Sequence, residues 1–328
     1  MTNTAETSAR REVTVGGARV RVVDMHAHVS VPEAAALMGA DTMRGFPALP
    51  LSNSSLRLKA MDEQGIDVEA LSINPFWYKA DRHLAEQIIR LQNERLAEFC
   101  AIEPARFVGL ASVALQHPDL AAEQLESGVK RLNLRGALIG GSVEGEELAN
   151  TRFDAFWAKA EELGVVVFIH PQGTAELESR LKGNGMLENV IGNPLETTIA
   201  LSHLIFQGTL DRFPGLKILA AHGGGYLPSY AARSDAGGLT FPARFTPLQK
   251  KPTEYLKQLY FDSLVFTTEG LRHLVAEVGS SQVVLGTDYP FPWTSTAVDH
   301  ILATPNLTDA ERVAILGGTA ARLLQLDR

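Results

Sequence analysis

Apolar positions along this chain follow two rhythms that alternate. Short runs rich in β-branched residues occur at Val20–Met25, Val68–Ile73, Phe107–Val113, Gly136–Ile139, Val165–Ile169, Lys217–Ala221, Leu259–Leu264 and Val283–Leu285. Such runs predict buried strands. Between most of them, apolar residues recur at spacings of three and four. Asp81–Cys100 carries Leu84, Ile88 and Leu91 on one stripe, and Thr151–Leu163 and Pro194–Phe213 read the same way. Those stretches predict helices. Strands that alternate with helices need crossover connections and so build a parallel sheet. Eight such units in 328 residues predict an α/β fold, a single (β/α)8 TIM barrel. A doubly wound open sheet is the alternative.

Two long stretches break the rhythm, residues 30–58 after the first strand and 234–254 after the sixth. Each follows a strand end, which in a barrel is the catalytic face. Residues 1–21 read as a frayed lead-in and 22–328 as the barrel. The start of the chain lacks the apolar core of a secretory signal, and no run of 18 apolar residues occurs. A net charge of −8 disfavours a nucleic-acid partner. The single cysteine, Cys100, lies in a helical pattern and reads as a core residue, which suits a reducing cytoplasm.

The chemistry gathers at strand ends. The first strand runs into His26-Ala-His28, the fifth ends in His170, the sixth in His222 and the eighth in Asp288. In a barrel these ends converge on one mouth. Alternate strand residues point the same way, so His26 and His28 can reach one ion. With His170 and Asp288 they form a donor set suited to Zn2+, with Mn2+ or Fe2+ also compatible. His222 opens Ala-His-Gly-Gly-Gly, whose glycines would let the backbone approach a ligand. It reads as a ligand or, preferably, as a general base beside the metal. Phe291 and Trp293, just past Asp288, could wall an aromatic ring. His83, His117, His273 and His300 read as surface residues, and His203 as structural.

HAH, HPQG, NPLETTIA, LDRFPGLKILAAHGGGYLP and LGTDYPFP together resemble the amidohydrolase superfamily. More narrowly they resemble its branch of non-hydrolytic decarboxylases, the 2-amino-3-carboxymuconate-6-semialdehyde decarboxylase-like branch. The resemblance runs from about residue 22 to the C-terminus. It implies a barrel holding one divalent metal, usually zinc and sometimes manganese, on His26, His28, His170 and Asp288. It implies a catalytic His222, and arginines on the substrate carboxylate. Arg233 matches one of these, which in the family reaches into the neighbouring subunit's site, so an active homodimer is implied. Arg44 is a looser match to a second. Where the branch's best-known member carries tryptophan after His-Pro, this chain has Gln172, an amide in place of a stacking face.

These readings lead to one expectation. The protein is a metal-dependent, non-oxidative carboxy-lyase acting on a carboxylated phenol or muconate-like acid in aromatic catabolism. His222 or Asp288 would protonate the carbon that loses CO2. Hydrolysis of an amide or lactone, or hydration, on the same scaffold is the alternative.

Overall fold

The computed structural model describes residues 10–39, 53–173 and 175–326. Its strands are β1 (Val23–His28), β2 (Val68–Ser72), β3 (Phe107–Gly109), β4 (Gly136–Ile139), β5 (Val166–Ile169), β6 (Lys217–Ala220), β7 (Leu259–Asp262) and β8 (Val283–Val284). All pair in parallel, β1 to β3 in one run and β4 to β8 in another. Parallel bridges join the two runs, Ala111 to Ala137 at one seam and Asp24 to Leu285 and Ala27 to Tyr289 at the other. The sheet therefore closes, and the barrel expected from the alternation is the fold.

The crossovers include α1 (Ser54–Gln64), α2 (Arg82–Ile102), α3 (Pro118–Leu132), α4 (Asp154–Leu163), α5 (Asn193–Phe206), α6 (Leu227–Thr240) and α7 (Thr268–Val278). Residues 319–324 form α8 (Thr319–Leu324). Local signals set these bounds. The Asp81 carboxylate accepts from Leu84 N at 2.9 Å and starts α2. Gly65 and Gly164, in the left-handed region at φ 77° and 62°, end α1 and α4. Pro194–Phe213 divides into α5 and a short helix, Thr209–Arg212, because Gly208 turns left-handed at φ 73° between them.

Two apolar layers hold the barrel. Inside it, Val23, Met25, Val68, Ala70, Phe168 and Leu219 pack together, with Leu323 of α8 joining them. Outside, the alternate residues of the same strands meet the helices, with Ala27, Leu71 and Ile218 against Leu96, Trp157 and Leu204. Each large side chain so buried contributes about 1.5–3 kcal/mol. No helix among the described residues is long and apolar enough to cross a membrane.

The structure corrects two expectations. Residues 10–21 are not frayed. Thr14–Val15 pairs antiparallel with Ala18–Arg19, Val13 and Val20 are buried, and Arg11 forks onto Asp299 at 2.9 and 2.5 Å. Only residues 1–9 of the lead-in lie outside the described part. Likewise, the stretch from residue 234 begins in helix, because α6 runs on to Thr240. A Cβ at Gly237, within α6, would stand 2.9 Å from the Phe245 ring. The glycine is there so that the ring can pack. Of the stretch 30–58, residues 32–38 and 54–58 are helical, while 40–52 lie outside the described residues, and Arg44 with them.

Candidate metal centre

Four side chains from three strand ends meet at the C-terminal mouth. The ligand-capable atoms of His26, His28, His170 and Asp288 all lie within 4.8 Å of one another, and all four residues are buried. His26 Nε2 and His28 Nε2 are 3.0 Å apart, and each lies near Asp288 Oδ1, at 3.2 and 3.1 Å. Simple alternation does not explain this. Val23 and Met25 face the barrel interior, so His26 would face out. The register against β2 shifts between Asp24 and Ala27. That bulge turns His26 and His28 inward together.

The second hydrogen bonds of the imidazoles fix which nitrogen faces the centre. His26 Nδ1 donates to Asp262 Oδ2 at 2.7 Å, and His170 Nδ1 donates to the Pro171 carbonyl at 3.0 Å. Both rings therefore turn Nε2 inward, and His170 Nε2 is buried with no hydrogen-bond partner among the described residues. An orphaned buried acceptor is costly unless something electropositive meets it. A divalent cation fits this donor set, and imidazoles held from behind by a carboxylate and a carbonyl are what such a cation requires.

The charges agree. Without a cation, burial opposes a proton on His26. Asp288 and the hydrogen bond to Asp262 outweigh it and lift its pKa to about 10. Burial drives the pKa of His170 well below its ordinary value and also lowers those of His28 and His222. Burial pushes Asp288 up, but His26 and His28 hold its carboxyl well below the usual range. The pocket demands positive charge at one point and leaves most of its imidazoles neutral.

His222 stands at the rim. Its Nε2 is 4.0 Å from Asp288 Oδ2, and its buried Nδ1 has no hydrogen-bond partner among the described residues. Its backbone is left-handed at φ 54°, and so are Gly223, Gly224 and Gly225 at 63°, 77° and 64°. A Cβ on these glycines would stand 2.6 Å from Val265, 2.5 Å from Phe261 and 2.0 Å from the Pro194 carbonyl. The three glycines thus serve this turn and its packing against protein, where close approach to a ligand was expected. Asp288 is left-handed too, at φ 61°. Such conformations in non-glycine residues cluster at functional sites.

Asp262, at the end of β7, was not singled out from sequence. Besides His26, it accepts from the backbone N–H groups of His222, Gly223 and Leu264 at 2.8, 2.8 and 3.1 Å. One buried carboxylate therefore holds a ligand and the turn that carries His222. Its signal was hidden, since the predicted seventh strand runs on to Leu264, whereas the observed one ends at Asp262.

The aromatic and polar candidates lie around this core. The Phe291 ring is 5.7 Å from that of His28, and Trp293 pairs with Phe266 at 6.3 Å. Gln172 donates from its side-chain amide to the Pro75 carbonyl, tying the loop after β5 to that after β2. Arg233 is exposed on α6, along a groove with His203, Phe206 and Phe241 that includes none of the four clustered residues.

Glu196, on α5, accepts from the backbone N–H groups of Gln172 and Gly173 at 2.6 and 2.5 Å. Burial raises its pKa from the ordinary 4.5 to about 7, against the pull of those bonds. A carboxyl whose folded pKa is raised gives stability that is full below the unfolded value and is lost as pH rises through the folded one. Glu196→Gln keeps the acceptor and removes the titration. Between pH 4.5 and 7 its stability relative to the parent is expected to improve by up to about 3 kcal/mol, in urea unfolding at the two pH values. A difference that does not change with pH would refute the buried, titrating carboxyl.

The amidohydrolase family model matches residues 23–326. A 2-amino-3-carboxymuconate-6-semialdehyde decarboxylase from Dictyostelium discoideum is 31% identical over 278 residues, covering 83% of this chain and 76% of the relative. A gamma-resorcylate decarboxylase from Rhodococcus jostii (strain RHA1) is 33% identical over 295 residues, covering 85% and 89%. Among solved structures, a dihydroxybenzoic acid decarboxylase from Polaromonas sp. JS666, with bound manganese and 2-nitroresorcinol, superposes with a TM-score of 0.83 at 28% identity, over 94% of this chain and 98% of that one. With a family match over nearly its whole length and relatives that are decarboxylases, this chain belongs to the amidohydrolase family.

Proposed function

We propose that the protein is a metal-dependent, non-oxidative decarboxylase of a carboxylated phenol or a related unsaturated acid. The observation that carries this reading is the buried cluster of three imidazoles and one carboxylate at the barrel mouth, in a chain whose relatives are named decarboxylases. His26, His28, His170 and Asp288 would hold the cation. Three nitrogens and one oxygen suit Zn2+, and Mn2+, which the Polaromonas relative contains, is the second choice. When bound, the cation supplies Lewis acidity toward the phenol oxygen and carboxylate of the substrate.

The chain's own groups do the rest. Losing CO2 leaves an electron pair on the ring carbon, and a proton must take the place of the carboxyl group. His222 Nε2 and Asp288 Oδ2, 4.0 Å apart at the rim, are the groups to hold and deliver that proton. Burial keeps His222 neutral when idle, so it can accept a proton and hand it on. Phe291, against His28, and Trp293 further out would flank the substrate ring. Gln172 would border the mouth on the β2 side.

Arg233 would clamp a substrate carboxylate in a neighbouring copy's site, with Arg44 as the second arginine. What supports a homodimer is the exposed apolar character of the helix that carries Arg233 and its end, where Tyr230, Leu239 and Phe241 are 65%, 83% and 58% exposed. One cysteine in 328 residues suits a cytoplasmic enzyme, and aromatic catabolism is the setting such a substrate implies.

The test is a panel of hydroxybenzoic and related unsaturated acids offered to metal-replete protein, following CO2 and loss of ultraviolet absorbance. Removing the metal with a chelator is expected to stop CO2 release, and added Zn2+ or Mn2+ to restore it. Release that survives chelation would sink the metal-dependent reading. A product that has gained the elements of water, without CO2, would mean hydrolysis or hydration instead.

A further inference from the structure

Behind the cluster lies a buried ion pair that its chemistry does not require. Arg57 of α1 and Glu69 of β2 are joined at 2.8 Å, with side chains 6% and 1% exposed. Taking such a pair out of water costs more than a well-packed apolar pair would, so stability alone is a poor reason for it. The guanidinium does two things that an apolar side chain cannot. It donates to the His28 backbone carbonyl at 2.6 Å, and its Cζ sits over the Tyr289 ring, 4.7 Å from the ring centre. His28 and Asp288 are both members of the cluster, and Tyr289 follows Asp288.

The two segments that Arg57 touches also grip each other. His28 N donates to the Tyr289 carbonyl at 2.7 Å, and Asp288 N donates to the His26 carbonyl at 2.7 Å. These bonds join the end of β1 to the turn after β8. The first and last strands meet here across the seam that closes the barrel. Arg57 bears on both sides of it, and Glu69 fixes Arg57. A side chain held at both its charge and its face transmits little slack.

We infer that Arg57, held by Glu69, is a positioning residue for the metal centre, setting His28 and Asp288 at the separation a divalent cation needs. This rests on the proposed centre but makes a separate claim, that its affinity and geometry are set from outside the barrel. Groups that orient metal ligands typically change affinity 10–100-fold when lost.

The experiment titrates metal-free protein with Mn2+ and records the absorption bands of the Co2+ form, for the parent and two variants. Arg57→Met with Glu69→Met replaces the pair by apolar side chains and leaves no lone buried charge. Arg57→Lys keeps the charge beside Glu69 but gives up the fork and the flat face. Both are expected to weaken Mn2+ binding at least 10-fold and to shift the Co2+ bands, while the melting temperature of the metal-free Lys variant stays near the parent's. If the double variant does not fold, the Lys variant decides. Parent-like affinity and Co2+ bands in the folded variants would overturn the role of Arg57 while the metal centre stands. A parent that takes up no Mn2+ or Co2+ would overturn both.

Discussion

Replacing His222 with asparagine is expected to leave the divalent metal bound and to remove most of the turnover. The four clustered residues do not include His222, whose Nε2 lies 4.0 Å from Asp288 Oδ2. Metal content by elemental analysis should therefore match the parent's. Proton transfer by one positioned side chain typically contributes 10^2–10^4-fold. A fall of about that size in kcat, with KM changed much less, is the expected result. Asparagine is the better probe because the position is left-handed at φ 54°, where asparagine is at ease and alanine is strained. The melting temperature should accordingly move little. Turnover near the parent's would reject His222 as the proton carrier. Loss of the metal along with turnover would make it a ligand instead.

That histidine was legible in the sequence because barrels put their chemistry at strand ends, and strand ends can be read from the apolar runs. The predicted strand beginning at Lys217 ends at Ala220 in the structure, one residue short of the expectation, and His222 follows two residues on. The same logic groups His26, His28, His170 and Asp288 at one mouth from the sequence. What it could not give was the reason the first strand delivers two ligands. Alternation from the interior-facing Val23 and Met25 would have turned His26 outward, and the bulge that prevents this is a matter of register between strands, which the chain alone does not display.

Arg57 was invisible for a different reason. It sits in a helix whose apolar positions are sparse, and an arginine there reads as a solvated charge until Glu69 and the His28 carbonyl are seen around it. Glu196 lay inside a quoted motif without a role, because its partners are backbone N–H groups more than 20 residues away in sequence. The lead-in hairpin was masked by polar neighbours. Gly16 and Gly17, at φ 58° and 80°, turn it, and its few valines are buried only because the barrel is there to receive them.

Asp262 should prove the residue outside the cluster whose loss weakens metal binding and the fold together. It is fully buried and accepts four hydrogen bonds, from His26 Nδ1 and from the backbone N–H groups of His222, Gly223 and Leu264. Asparagine in its place has the same shape but turns an NH2 toward two of those donors. Each donor left unpaired costs about 1–3 kcal/mol. A loss of about 3 kcal/mol in a 328-residue chain corresponds to a melting temperature lower by about 4 °C. The functional effect should be larger than the thermal one. Without a carboxylate behind it, His26 is free to place its proton on either nitrogen, and the lone pair facing the cluster is no longer assured. Metal affinity is expected to fall 10–100-fold. Activity at saturating metal should fall as well, since the turn that carries His222 loses its anchor. Metal titration of the Asp262→Asn protein, with a melting curve on the same sample, reads both effects. Parent-like affinity in a folded variant would show that the imidazole is aligned by packing against Phe168, 4.9 Å from it between ring centres, and that the hydrogen bond is incidental.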